Sequence, residues 1–93
     1  MIPAPELVAT MTGSAVTIGT LIAHPVKLIF DNLSTVSVVI SINLGGGAIQ
    51  WKTFAAGEAL VIDGDIFTFP KGTIITGNGA SGDFSVSYTY INQ

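Results

Sequence analysis

From residue 60 to residue 90 the chain reads LVIDGDIFTFPKGTIITGNGASGDFSVSYTY, and nowhere in that run do apolar residues recur at helical spacing. Short apolar stretches alternate with polar residues and are cut every few positions by Gly, Pro, Asn or Asp. That is the pattern of strands joined by tight turns. The same grain runs through the rest of the 93 residues. Strands are predicted at 14–23, 26–30, 36–43, 49–54, 59–62, 66–69, 73–76 and 84–91. A chain of this length fills one core, because an ordinary domain holds about 100–150 residues. The expected fold is all-β, a single small β-sandwich of jelly-roll or Ig-like connectivity with about eight short strands over residues 14–93.

Alternation also assigns faces. Val36, Val38, Ile40 and Ile42 point one way and Ser37, Val39, Ser41 and Asn43 the other, so the first set is expected in the core. In 49–54, Gln50, Lys52 and Phe54 oppose Ile49, Trp51 and Thr53, and in 84–91, Phe84, Val86, Tyr88 and Tyr90 oppose Ser85, Ser87, Thr89 and Ile91. Proline restricts the residue before it, so His24-Pro25 is expected to bend the chain. Asp31, Asn32, Leu33 and Ser34 supply a turn whose side chains bond nearby backbone. Gly45, Gly46 and Gly47 are costly to order and read as a mobile loop or a close backbone approach to a partner. Residues 77–83 read as a long polar loop. Residues 1–13, with Pro3 and Pro5, are expected as an extended N-terminal arm, in which 7–11 either continue the arm or form an edge strand.

Composition narrows the function. The chain is 48% hydrophobic and only 10% charged, against about 25% charged in an average soluble protein. Much of the surface must therefore be Ser, Thr, Gly and Asn or be covered by a partner, which favours a homo-oligomer or a docked subunit. Three lysines and no arginine, in a chain of net charge −3, lack the clustered basic surface that binds nucleic acid. The longest apolar stretches are interrupted well short of the ~18 residues of a membrane span. No cation precedes Lys27 and Glu6 stands where an export signal is basic, so synthesis in a cytoplasm is expected. There is no cysteine, which excludes disulfides and Cys-ligated zinc.

The residues capable of chemistry are few. His24 is the only histidine and precedes a proline, the setting of a turn or packing residue and not of a general base. Asp63 and Asp65 resemble a carboxylate pair, and with Asn78 and Asp83 an oxygen set for calcium, but Asp-Gly-Asp is explained by turn chemistry and no EF-hand spacing is present. The glycines do not open a helix after a strand, so no phosphate cradle is supported. Trp51, Phe54, Phe67, Phe69, Tyr88 and Tyr90 would make either a stacking platform or a core. No catalytic residue, metal or cofactor is expected, and the chain reads as a non-enzyme.

Four segments in order, NLSTVSVVISIN at 32–43, AGEALVID at 56–63, FPKGTI at 69–74 and ASGDFSVSYTY at 80–90, resemble small structural proteins of bacteriophage virions. The resemblance spans residues 27–91. It implies a β-sandwich in the virion, made in the host cytoplasm and acting in symmetric copies with other capsid proteins, as a minor capsid, penton or spike-base, or decoration protein. The extended start of the chain would suit an arm docking on a neighbouring subunit. The expected contact residues are Ile2 and Pro3 in the arm, Gly45, Gly46, Gly47 and Trp51 at one loop end, and Asn78, Ser81 and Asp83 at another. The alternative is a carbohydrate-binding or adhesion module using Trp51 with a second aromatic residue as its platform.

Overall fold

A computed structural model of the chain describes residues 1–64 and 69–91. The strand expected at 66–69 falls outside the described residues except for Phe69, as do Asp65 and Phe67. The described residues form nine strands: β1 (Ile2–Pro3), β2 (Leu7–Thr10), β3 (Val16–Thr20), β4 (Pro25–Asn32), β5 (Val38–Asn43), β6 (Ala48–Phe54), β7 (Ala59–Asp63), β8 (Ile74–Gly79) and β9 (Asp83–Tyr90). They make two antiparallel sheets. In one the order is β1-β9-β4-β7, with β2 following β1 along β9, and in the other it is β3-β8-β5-β6.

The register explains that order. Ile42 pairs with Ile49, Val38 with Phe54, Leu28 with Ile62, Thr20 with Ile74, Leu7 with Val86 and Ile2 with Tyr90. In each pair the two residues lie nearly equally far along the chain from the glycine turn at 45–47. The chain is thus one long hairpin folded about that turn, then rolled so that β9 meets β4 and β8 meets β5. Rolling a hairpin in this way distributes its strands over two sheets in the jelly-roll order, and the Ig-like order is not the one found. Residues 1–13, expected as an arm, are extended, and β1 and β2 lie along β9 of the same chain.

Between the sheets, Leu28, Phe30, Val38, Ile40, Phe54, Ile75, Phe84 and Val86 are fully buried. Phe54 meets Phe84 edge-on with centroids 5.1 Å apart, and Phe30 lies 5.8 Å from Phe54. Aromatic pairs of this geometry add about 0.5–1.5 kcal/mol beyond the area they bury.

Two departures from simple alternation have identifiable causes. Ile40 pairs with Lys52 and the adjacent Ser41 with Gln50, so Trp51 is an extra residue, a β-bulge. The bulge brings Trp51 and Phe54 to the same side, although strict alternation puts them on opposite faces. Trp51 packs 5.0 Å from Phe30 and 5.2 Å from Phe69. The second departure is β8, which continues through Gly77, Asn78 and Gly79, a stretch expected to be loop. A Cβ on Gly77 would come within 3.0 Å of the Met11 sulfur, and one on Gly79 within 2.8 Å of Val38 Cγ2. These glycines keep room inside the sandwich for Met11 and Val38 and do not turn the chain.

The end of the sandwich away from the 45–47 turn is tied together by polar groups. Met11 donates its N–H to Gly82, Leu33 to Asp83, and Asn32 to Glu58. Asn32 is fully buried and its Nδ2 donates to the carbonyls of Val36, Phe54 and Ala55 at 3.0, 3.2 and 2.9 Å. Its Oδ1 accepts from the backbone N–H and hydroxyl of Ser34 at 3.0 and 2.8 Å.

Candidate functional site

The strands of the four-stranded sheet carry no Asp or Glu and one cation, Lys52. Lys52 belongs to the bulge, pairs with the inward-facing Ile40 and so leaves the outer side, lying partly exposed along the sheet edge: its ammonium is 5.0 Å from the centre of the Phe54 ring and 3.0 Å from the Glu58 carboxylate. The outer face is therefore uncharged. Because Ile40, Ile42, Ile75 and Gly77 face inward, their neighbours Val39, Ser41, Thr76 and Asn78 face out. The registers align them in rows. Thr17, Thr76, Ser41 and Gln50 form one, and Asn78, Val39 and Thr53 the next.

Ala15, Val39, Ser41, Gln50, Thr76, Gly77 and Asn78 line a shallow concavity of about 420 Å³ on this face. Its hydroxyls and carboxamides make no side-chain hydrogen bond among the described residues, so they are available to a neighbour. A face of this kind binds through direct and water-bridged hydrogen bonds and shape, with little dependence on salt.

A second feature lies at the end that carries the glycine turn. Ile42, Leu44, Ile49, Gln50, Trp51 and Phe69 line an apolar cleft of about 160 Å³, and Ile49 is 70% exposed. The turn beside it is held in place: Asn43 Oδ1 accepts from the N–H groups of Gly45 at 2.8 Å and Gly47 at 3.3 Å. Both glycines have φ beyond +100°, a conformation that selects glycine.

The expected contact residues fall at three places. Ile2 and Pro3 pair with Tyr90 and Thr89. Gly45, Gly46 and Gly47 form the turn beside the apolar cleft, and Trp51, half-buried, lines that cleft. Asn78 is on the uncharged face, while Ser81 is exposed in the turn before β9 and Asp83 accepts the Thr10 hydroxyl at 2.6 Å. Asp63 and Asp83 lie at opposite ends of the five-stranded sheet, since Asp63 shares a row with Lys27 and Thr89 while Asp83 precedes the row of Asn32. Among the described residues no three His, Asp or Glu side chains are grouped to hold a metal ion, and no helix is long and apolar enough to cross a membrane. Ser41, Gln50 and Thr76 are contact candidates that the sequence reading missed. The polar side of 36–43 was a signal for the first, but the face emerges only when β8 is known to lie beside β5.

Compared with known proteins, the chain matches no family model and no curated protein.

Proposed function

We propose that this chain is a non-enzymatic structural subunit of a bacteriophage virion, acting in symmetric copies against other capsid proteins. The observation that carries the reading is the uncharged outer face of β3, β8, β5 and β6, whose hydroxyl and carboxamide groups are free for a neighbouring protein surface. Two packed sheets give that face the rigidity a repeated docking contact needs. The jelly roll is also a frequent viral capsid architecture, an analogy of fold that adds to the reading without carrying it. The virion setting rests on the ordered sequence resemblance over residues 27–91.

The test is co-sedimentation with purified capsids, with light scattering on the isolated chain. Wild type is expected to bind capsids, and a variant carrying Gln50→Lys and Thr76→Lys, which puts two ammonium groups on the uncharged face, to lose binding while keeping its melting temperature. A strictly monomeric chain that binds no capsid overturns the proposal.

The same concavity favours one second reading, a neutral glycan as ligand, because sugars are bound by such uncharged donors and acceptors. Trp51 contributes little platform there, being packed against Phe30, Phe54 and Phe69. Glycan titration followed by calorimetry, abolished by Asn78→Ala, would support this second reading against the first.

A further inference from the structure

We propose that the chain pairs with a second copy of itself along the outer edge of β7, two five-stranded sheets joining across a twofold axis. This deepens the assembly reading above by naming the self-contact, and it rests on that reading for its biological purpose. A free sheet edge presents unpaired N–H and C=O groups, and proteins that remain monomeric guard their edges with bulges, prolines or lysines. Three of the four edges here are guarded. β6 has the bulge at Trp51 and, beside it, the edge charge of Lys52. β3 has a register break between Thr17 and Gly19, and the β1–β2 edge is interrupted by Pro3 and Pro5.

β7 has none of these. Its five residues, ALVID, pair with β4 in unbroken register, and among the described residues no strand pairs with its outer side. The sequence is also self-complementary. In an antiparallel pairing centred on Val61, Val61 meets its own symmetry mate, Leu60 meets Ile62, and Ala59 meets Asp63. No like charges face each other, and Asp63 keeps Lys27 as its cross-strand neighbour within its own sheet. Leu60 and Ile62 already pack on the core, so their pairing extends the inner apolar layer across the axis. On the outer side, Ile29 and Val61 of each copy form a continuous apolar strip. Such a contact is isologous, as a twofold interface requires. Five residue pairs make it small, below about 1,200 Å², so the dimer is expected to be concentration-dependent.

The chain has no cysteine, which permits a direct test. Opposed Cα atoms in an antiparallel pair are about 4.5–5.5 Å apart, within disulfide range. Val61→Cys is expected to cross-link to a covalent dimer under mild oxidation, roughly tenfold or more faster than Val8→Cys. The comparison is fair because Val8, on the opposite edge of the same sheet, is 50% exposed and Val61 is 51% exposed. An equal mixture of Ala59→Cys and Asp63→Cys is expected to give the mixed dimer in preference to either homodimer. Without oxidant, sedimentation of wild type is expected to shift from monomer to dimer with concentration, and Val61→Lys to stay monomeric with an unchanged circular dichroism spectrum. Cross-linking of Val8→Cys at the rate of Val61→Cys, or a wild type monomeric up to about 1 mM, overturns the edge pairing. A chain that fails these tests yet co-sediments with capsids refutes only the edge; one that dimerises through β7 but ignores capsids refutes the virion reading and leaves the edge standing.

Discussion

Asn32→Ala is the substitution for which the structure gives the sharpest expectation. The side chain is fully buried and links three segments through the carbonyls of Val36, Phe54 and Ala55 and the N–H and hydroxyl of Ser34. The Ala55 carbonyl keeps the Glu58 N–H at 3.0 Å, so truncation leaves chiefly the Phe54 carbonyl without its side-chain donor and the Ser34 N–H without its acceptor. The single hydrogen of the Ser34 hydroxyl lies between Asn32 Oδ1 at 2.8 Å and the Val36 carbonyl at 2.7 Å, and in the variant it goes to Val36, which keeps a donor. At about 1–3 kcal/mol for each of the two orphaned groups, reduced where water enters the vacated space, the loss is about 2–4 kcal/mol. That is a large part of the 5–15 kcal/mol typical of a domain, and a fall in Tm of roughly 10–25 °C. Urea unfolding at constant m-value measures it. Asn32→Asp separates hydrogen bonding from volume: it keeps the acceptor facing Ser34 but turns an oxygen toward three carbonyls. The folded-state pKa of that carboxyl must then lie above the unfolded value of about 3.9. Its protonated form donates one bond, so Asn32→Asp is expected to be most stable below that value and to lose stability as pH rises through the raised folded one. A loss under about 1 kcal/mol in Asn32→Ala, or an Asn32→Asp profile parallel to wild type, refutes the account.

Gly82 has φ +82°, and a Cβ there would approach Ser34 Cα to 2.9 Å; Gly82→Ala is expected to cost about 2–4 kcal/mol, whereas Gly46→Ala, with open space and no positive φ, stays within about 0.5, as thermal unfolding of the pair will show. The Glu58 carboxyl is held below its ordinary 4.5, first by the N–H of Ala55 and then by Lys52, so its contribution is in place above 4.5 and is lost as pH falls through the lowered value. Removing the charge with Lys52→Met is therefore expected to raise the Glu58 titration only partway in an NMR pH series; a return to the ordinary value would make the ammonium, and not the backbone bond, the main cause. Trp51→Ala is expected to cost about 2–4 kcal/mol in denaturant unfolding, at or below the range for a fully buried aromatic residue, and wild-type fluorescence to be blue-shifted.

Strand existence was legible wherever one face is buried, as in β5 and β9, because burial imposes a period of two on the side chains. The faces failed at β6, where the bulge is set by the partner strand and leaves no mark in IQWKTF itself. The first half of β8 was legible at 73–76, but its continuation was hidden for a different reason: Gly77 and Gly79 look like turn residues, and only the positions of Met11 and Val38 show that they serve packing. The turn at 45–47 was legible as a turn, but its central place in the pairing of the whole chain appears only from the register. Of the candidate site, Asn78 was named from sequence and Ser41, Gln50 and Thr76 were not, because a face shared by three strands cannot be read from any one of them.

The rolled hairpin also decides how the two proposed contacts relate. The uncharged face belongs to the sheet of β3, β8, β5 and β6, whereas β7 is an edge of the opposite sheet. A copy docked by its uncharged face on a larger surface keeps β7 uncovered by that contact, and pairing through β7 leaves the face accessible. The contacts also differ in chemistry, polar side chains on the face and main-chain hydrogen bonds with Val, Leu and Ile at the edge. Substitutions at Gln50 and at Val61 touch no common partner in the fold, so their effects on capsid binding and on dimer formation should be close to independent. Weak self-association joined to a separate docking face gives multivalent attachment: one dimer presents two docking faces, and the second binds at the effective concentration set by the first. That advantage requires the two-sheet arrangement, because a single sheet burying one face on its core could not offer a docking face and a free edge on opposite layers.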